Sequence, residues 1–217
     1  MQLAHMSRLE AVNEILWTIG EAAVQTITAG LTDAAKAAAI LDLVSREVQM
    51  IGWHANTEKA VALTRNASNE FVIAVDILSV DTSTAVPYGR NATYRPSSHL
   101  DVALRQTEDG TGYRLYDKAN NTVTWDNLDT ITVDLVRLLD FAALPPALQT
   151  YIWTKAARRF QKGAMGSQVL HSISREEEYE AMINAIQADE AADDFSFFRS
   201  NTHLRNATQR YSPFSTS

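Results

Sequence analysis

Helix signals occupy both ends of this chain, and strand signals fill the middle, which sharply limits the folds available to it. Near the N-terminus, Ser7 and Glu10 form a capping box, in which each side chain accepts the backbone amide proton of the other residue. This box predicts a helix over residues 7–19. Gly20 ends the helix, because glycine adopts the left-handed conformation of a helix C-terminus at low cost.

A second helix is predicted from Thr32-Asp33, which are favoured N-cap residues, to Gly52. Its alanine-rich first half favours helix formation. The apolar positions predicted to form its buried stripe are Leu41, Val44, Val48 and Ile51. Trp53 follows directly, and we expect it to pack over the end of this helix.

The middle of the chain, from Lys59 to Arg137, is rich in Val, Ile and Phe and contains several turn signals. The segments predicted as strands are 59–64, 71–80, 99–106, 113–116, 122–125 and 130–135. Because short turns separate several of these segments, we expect antiparallel pairing in one sheet of about five or six strands.

Two more helices are predicted after the strands. Pro145-Pro146 begins the third, since proline is tolerated in the first helical turn, and Gly163 and Gly166 end it. Its apolar stripe is predicted to contain Leu148, Ile152, Ala156 and Phe160. Ser174 and Glu177 form a second capping box, which predicts the start of the fourth helix. The apolar positions of that helix are Tyr179, Met182, Ile183 and Ile186.

This segregation of helices and strands predicts an α+β fold, in which the N- and C-terminal helices build one helical bundle around an inserted antiparallel β domain. The predicted parts are an N-terminal helical pair (1–56), the β domain (57–140), a C-terminal helical pair that completes the bundle (141–195) and a C-terminal arm (196–217).

The composition excludes several classes of site. The 217 residues include no cysteine, so a disulfide scaffold, a thiolate metal site and a cysteine nucleophile are excluded. The net charge of −7 argues against simple binding to phosphate backbones. The five histidines lack metal-ligand spacing, and we expect neither metal nor cofactor. No apolar run approaches the ~18 residues of a membrane span, and the N-terminus lacks a signal-peptide pattern, so we expect synthesis in a reducing cytosol without a membrane anchor.

Charge alternates in sign along the last third of the chain. The third helix carries a basic set, and the fourth helix begins with an acidic set. The basic set comprises Lys155, Arg158, Arg159 and Lys162, and the acidic set comprises Glu176, Glu177 and Glu180. The spacing of the basic set places most of it on one helix face. We expect the two sets to pair within or between subunits, with contact to DNA or to an acidic partner ring as the alternative.

Aromatic and arginine residues are concentrated after the fourth helix. They are Phe195, Phe197, Phe198, Arg199, Arg205, Arg210, Tyr211 and Phe214. Both residue types are enriched among the residues that dominate binding energy at protein interfaces. We expect this arm to bind a partner, and packing of the phenylalanines on the chain's own core is the alternative.

Signatures of catalysis are absent from the sequence, which contains no Gly-rich phosphate loop, no His-Glu-x-x-His and no Gly-x-Ser-x-Gly. Carboxylates are plentiful, and a glycosidase needs a pair of them. Asp76 and Asp81 flank a strand, and Glu177 lies in the acidic set, but turn and helix caps explain these positions as well.

Five segments, in their order along the chain, are similar to one known family. They are residues 10–21 (EAVNEILWTIGE), 51–56 (IGWHAN), 113–117 (YRLYD), 144–160 with its proline start, and 176–181 (EEEYEA). In this order they resemble tail tubular protein A of short-tailed, podovirus-type bacteriophages. The resemblance covers roughly residues 8–195, and the arm after Phe195 does not align with the family.

The resemblance implies a structural protein of the virion tail, made in the cytoplasm of the host bacterium. Such proteins form a ring of twelve subunits that joins the portal protein to the nozzle, tail tubular protein B. The ring helps retain packaged DNA, which passes through its channel without sequence-specific binding, and it offers part of the attachment surface for tail fibres. Head-to-tail contacts suit a closed ring. A tail-associated glycan or peptidoglycan hydrolase is the alternative function.

Overall fold

The structure is a computed structural model that describes residues 5–28, 30, 32–82, 100–108, 110–164 and 168–192, without the side chains of 164 and 168–174. Within these residues the helices are α1 (Arg8–Trp17), α2 (Asp33–Gln49), α3 (Pro146–Ala164) and α4 (Gln168–Ala192). Short 3-10 helices span His54–Asn56 and Phe141–Ala143. Six strands lie between α2 and α3 in the sequence, so the predicted α+β class is confirmed.

The N-terminal helices begin where the sequence predicts. Ser7 Oγ accepts the amide proton of Glu10 at 3.2 Å, and Glu10 Oε2 accepts that of Ser7 at 2.7 Å, which confirms the capping box. The side chain of Thr32 caps α2. However, α2 ends at Gln49, before Ile51 could join its buried stripe, so Ile51 is exposed and its predicted burial is wrong.

Helix α3 lies at the centre of the bundle and packs against α1, α2 and α4. Its predicted stripe is confirmed, since Leu148, Ile152, Ala156 and Phe160 are all buried. The remaining core of the bundle comes mainly from Val12, Ile15 and Leu16 of α1 and from Leu41, Val44 and Val48 of α2.

Helix α4 departs from the sequence prediction at both its start and its apolar face. It begins at Gln168, so Ser174 lies inside the helix rather than at its N-cap. From residue 175 onward, where its side chains are described, Ala181 and Ala185 are buried, whereas Tyr179 and Ile186 are exposed. Because alanine lets two helix backbones approach closely, α4 packs on the bundle through Ala181 and Ala185, with Met182 half-buried against the same core, and leaves Tyr179 and Ile186 on its flank.

The strands are β1 (Thr57–Thr64), β2 (Val72–Ile73), β3 (Ile77–Thr82), β4 (Val102–Gln106), β5 (Tyr113–Asp117) and β6 (Thr130–Arg137). All pairs are antiparallel, and they form two three-stranded sheets with the orders β1-β6-β3 and β2-β5-β4. The prediction of one continuous sheet is therefore wrong.

Two segments that were predicted as strands differ in the structure. The segment 71–80 is interrupted by a turn in which Ile77 donates its amide proton to the carbonyl oxygen of Ala74, so β2 and β3 enter different sheets. The segment 122–125 forms only an isolated bridge between Thr122 and Asp117. Residue 99 of the predicted strand 99–106 lies outside the described residues.

The two sheets share one apolar core. Its buried residues are Phe71, Ile73, Ile77, Leu115, Trp125, Ile131, Val133 and Leu135. The rings of Phe71 and Trp125 meet edge to face with centroids 5.7 Å apart. Ala60 has φ +57° at a bulge in β1, where its amide group donates to Asp134 Oδ1 at 2.8 Å.

Buried amide side chains fasten the bundle to the sheets. Asn56 Nδ2 donates both to the carbonyl oxygen of Gln49, at the end of α2, and to that of Arg137, at the end of β6. The Gln49 side chain donates to the carbonyl oxygen of Leu139 and accepts its amide proton. Trp53 packs over the end of α2 as predicted, and its indole donates to the carbonyl oxygen of Val48 at 2.8 Å. The chain therefore leaves and re-enters the bundle at one place, the joint, which is formed by Gln49, Trp53 and Asn56.

Candidate interaction surfaces

The basic set on α3 is divided among three neighbours. Arg158 forms an ion pair with Glu178 of α4. Arg159 pairs with Glu47 of α2 at 2.7 Å. The ammonium group of Lys155 lies 5.6 Å from the ring centroid of Tyr151 on its own helix. Lys162 is exposed and has no ion-pair partner among the residues described.

The acidic set lies on the exposed surface of α4. Glu176, Glu177 and Glu180 are all exposed, and none of them forms an ion pair within the described part of the chain. The α4 residue that pairs with α3 is Glu178, which sequence reasoning missed. Its position three and seven residues before Ala181 and Ala185 places it on the α3-facing side of the helix. Pairing of the other three glutamates between subunits stays a prediction.

The carboxylates considered for hydrolysis occupy separate elements. Asp76 lies in the turn between β2 and β3, where it and Glu58 both bind the guanidinium group of Arg137. The hydrogen bond to Glu58 and, next in importance, the hydrogen bond to Asp76 raise the pKa of Arg137. The hydrogen bond between Arg137 and Glu58 also lowers the pKa of Glu58. Asp76 therefore serves an ion-pair network, while Glu177 stands on the α4 surface.

Among the residues that the structure describes, no other grouping points to catalysis or metal binding. Asp81 lies within β3, where Oδ1 accepts the amide proton of Thr82. Among the described residues, no group of three or more His, Asp or Glu side chains is placed to hold a metal ion. No helix in the described ranges combines the length and apolarity needed to cross a membrane.

Large exposed apolar side chains mark the surface of the helices. Trp17, at the C-terminal end of α1, has 77% of its surface exposed. Leu43 of α2 and Met50, the C-cap residue of that helix, are exposed on the side opposite the buried stripe, and on α4 Tyr179 and Ile186 are exposed. From the sequence, Tyr179 and Ile186 were identified only as apolar positions of α4, because apolar periodicity alone does not say which of two apolar faces is buried.

A groove of about 430 Å³ lies between α2 and α3. It is lined by Lys36, Ala39 and Ile40 of α2 and by Phe160 and Gly163 of α3, with Asp33 at one end. Most of its lining is apolar, and the cationic Lys36 and Lys162 lie on its helices. The groove thus presents an apolar floor with charged residues beside it.

The predicted binding arm lies outside the described residues, which end at Ala192. The set from Phe195 to Phe214 therefore keeps its status as a sequence-based expectation.

Comparison with protein families identifies the chain. Residues 9–195 match the family model described as tail tubular protein, and no curated protein matches the chain. The match begins at the second residue of α1 and continues beyond the end of α4, so it includes both sheets and all of the four helices except Arg8. The exposed apolar residues on its helices suit a component of an assembly. The chain belongs to the tail tubular protein family, the structural proteins of bacteriophage tails.

Proposed function

We propose that this protein is a head-to-tail adaptor, a ring of twelve subunits that joins the portal to the tail nozzle protein. The observation that carries the proposal is the family match over residues 9–195, because it takes in every described helix and strand except the first residue of α1. In this role the ring helps retain packaged DNA and forms part of the surface to which tail fibres attach.

The hydrogen bonds that join the bundle to the sheets suit a subunit that holds two other proteins in place. Gln49 and Asn56 make their hydrogen bonds from buried side chains, where an unmade hydrogen bond is costly. The joint therefore resists bending between the two parts, and contacts made by the helices constrain the position of the sheets.

The charge balance also supports the role. The chain carries 26 acidic residues against 19 Lys and Arg, for a net charge of −7. Binding to the DNA backbone depends on Lys and Arg that displace counterions. A ring with an excess of acid allows DNA to slide through its channel without being held.

The proposal is tested by the mass of the assembled complex. Light scattering should be measured for the protein alone, for the portal ring of the same phage, and for their mixture. We expect the mixture to gain the mass of about twelve copies, as the proposed stoichiometry requires. A mixture whose components keep their separate masses would overturn the adaptor role.

The arm is tested in the same assay. We expect a chain lacking residues 196–217 to keep the circular dichroism of the folded protein and to lose affinity for the portal, since the arm carries the aromatic and arginine set. The matched control replaces only its three terminal residues, Ser215–Ser217, with alanine. Equal portal binding by the truncated and full chains would show that docking uses another surface.

A further inference from the structure

Two flanks of the bundle carry apolar residues that the fold leaves uncovered. We propose that these flanks, on α2 and α4, bind each other between neighbouring copies of this chain in a head-to-tail contact. The proposal rests on the adaptor function proposed above and names the surfaces through which its subunits meet.

The first flank is the α2 flank, formed by Ile40, Leu43, Arg46 and Met50. These residues follow spacings of three or four and share one side of the helix. Leu43 is exposed, and Met50 has 54% of its surface exposed. Arg46 is exposed and has no ion-pair partner in the described ranges. Ile40 continues this side into the apolar groove beside Phe160 of α3.

The second flank is the α4 flank, formed by Tyr179, Ile183 and Ile186 with Glu176, Glu180 and Glu190. Their spacings of three and four again place them along one side of the helix. Tyr179 has 59% of its surface exposed. This side differs from the one that Ala181 and Ala185 bury against α3.

Charge distinguishes the two flanks and selects the pairing. The α4 flank carries three exposed glutamates without ion-pair partners in the described part of the chain. The α2 flank carries Arg46, and Lys162 lies on the neighbouring α3, both without ion-pair partners there. Two α4 flanks would place glutamates against each other, whereas an α4 flank against an α2 flank joins opposite charges around an apolar centre.

The placement of the flanks permits a repeating contact. Consecutive residues of α3 point to the two helices, since Arg158 binds Glu178 of α4 and Arg159 binds Glu47 of α2. Successive side chains on a helix differ by about 100° in direction. One copy can therefore offer each flank to a different neighbour, and such heterologous contacts close into rings when the rotation allows it.

Thiol cross-linking tests the pairing directly, because the natural chain contains no cysteine. One variant carries Leu43→Cys and a second carries Ile186→Cys, and both are assembled on the portal and treated with a bifunctional maleimide. We expect cross-linked dimers only when the two variants are mixed. A chain with both substitutions should give a ladder of oligomers. Val75→Cys, at an exposed position in the β2–β3 turn, is the matched control and should not cross-link.

Assembly measurements show how strongly the two flanks contribute to the contact between subunits. Leu43→Asp and Ile186→Asp place a charge at the centre of the contact, and we expect each to raise the concentration needed for half-assembly roughly tenfold or more. Val75→Asp should leave it unchanged. Circular dichroism of each variant confirms that the exposed substitution leaves the fold intact.

The outcomes separate this inference from the adaptor role. Assembly of about twelve copies by both aspartate variants at wild-type concentrations would overturn the pairing and leave the adaptor role standing. Cross-linking of either single-cysteine variant with itself would also overturn it, because the contact would then be symmetric. Failure of the unaltered chain to bind the portal would instead remove the proposed function.

Discussion

The helical bundle and the paired sheets are stabilised by different interactions. The bundle has a large apolar core, and its buried amides link segments far apart in sequence. The sheets have a smaller core and are bordered by partly exposed ion pairs such as Arg137 with Glu58 and Lys118 with Asp101. Buried amides have few alternative partners, whereas exposed ions can exchange a partner for water. Single substitutions should therefore have very different effects in the two regions.

The largest effect is expected from the core of the sheets. Phe71→Ala removes a fully buried ring that packs against Trp125, and losses of this kind cost roughly 3–5 kcal/mol. Because the bundle has its own core, we expect hydrogen exchange to accelerate in β2, β5 and β6 and to change little in α3. Equal acceleration in α3 would show that the two cores unfold together and would remove this distinction.

The second largest loss of stability is expected when a buried amide of the bundle is replaced. Gln149 donates to the carbonyl oxygens of Met6 and Phe141 and accepts the amide proton of Met6. Gln149→Leu keeps the side chain's size but leaves these backbone groups without partners, so we expect a loss of about 2–4 kcal/mol in urea unfolding. Gln187→Leu, at an exposed position of α4, is the control. A loss below that of the control would contradict the importance given to buried amides.

The ion pairs of the sheets should contribute less and should depend on pH. Arg137 lowers the pKa of Glu58 in the folded protein, so the pair stabilises the fold above the unfolded pKa of glutamate, about 4.3. This stability is lost as the pH falls through the lower, folded pKa. Because the Glu58 carboxylate is largely exposed, we expect Glu58→Gln to cost less than about 1 kcal/mol at pH 7. The difference from the natural chain should shrink in unfolding curves measured below about pH 4. A constant difference down to pH 2 would show that the charge of Glu58 is not its cause.

The smallest effect should be a gain in stability. Ala60 has φ +57°, a region in which alanine is strained and glycine is not. Ala60→Gly should raise the free energy of unfolding by about 0.5 kcal/mol, because relief of strain is partly offset by the greater freedom of glycine in the unfolded chain. Thermal unfolding can detect this gain. A loss of stability would mean that packing of the methyl group outweighs the strain.

The sequence predicted features that depend on local interactions. The capping box of Ser7 and Glu10, the stripe of α3 and the position of Trp53 all follow from neighbours within a few turns. Predictions that depended on distant contacts were less accurate. The box at Ser174 has the right residues, but the helix begins at Gln168, since local capping energy of about 1 kcal/mol does not decide where a long helix starts.

The interaction surfaces show the same limit. Tyr179 and Ile186 follow helical apolar periodicity, yet both are exposed, and the smaller Ala181 and Ala185 face α3. Only the packed structure shows which face is covered. The division of strands into two sheets was missed because the turn from Ala74 to Ile77, which is closed by its own hydrogen bond, contains no Gly, Pro or Asn to mark it in the sequence.

The joint at Asn56 has a consequence for how such a chain can change over generations. Its side chain touches both the end of α2 and the end of β6, so the chain that leaves the bundle returns to nearly the same place. Everything between these points can be lengthened, shortened or replaced by another segment whose ends lie side by side. The segment between the end of α2 and the end of β6 can thus change in evolution to fit a new binding partner, while the helices retain their packing.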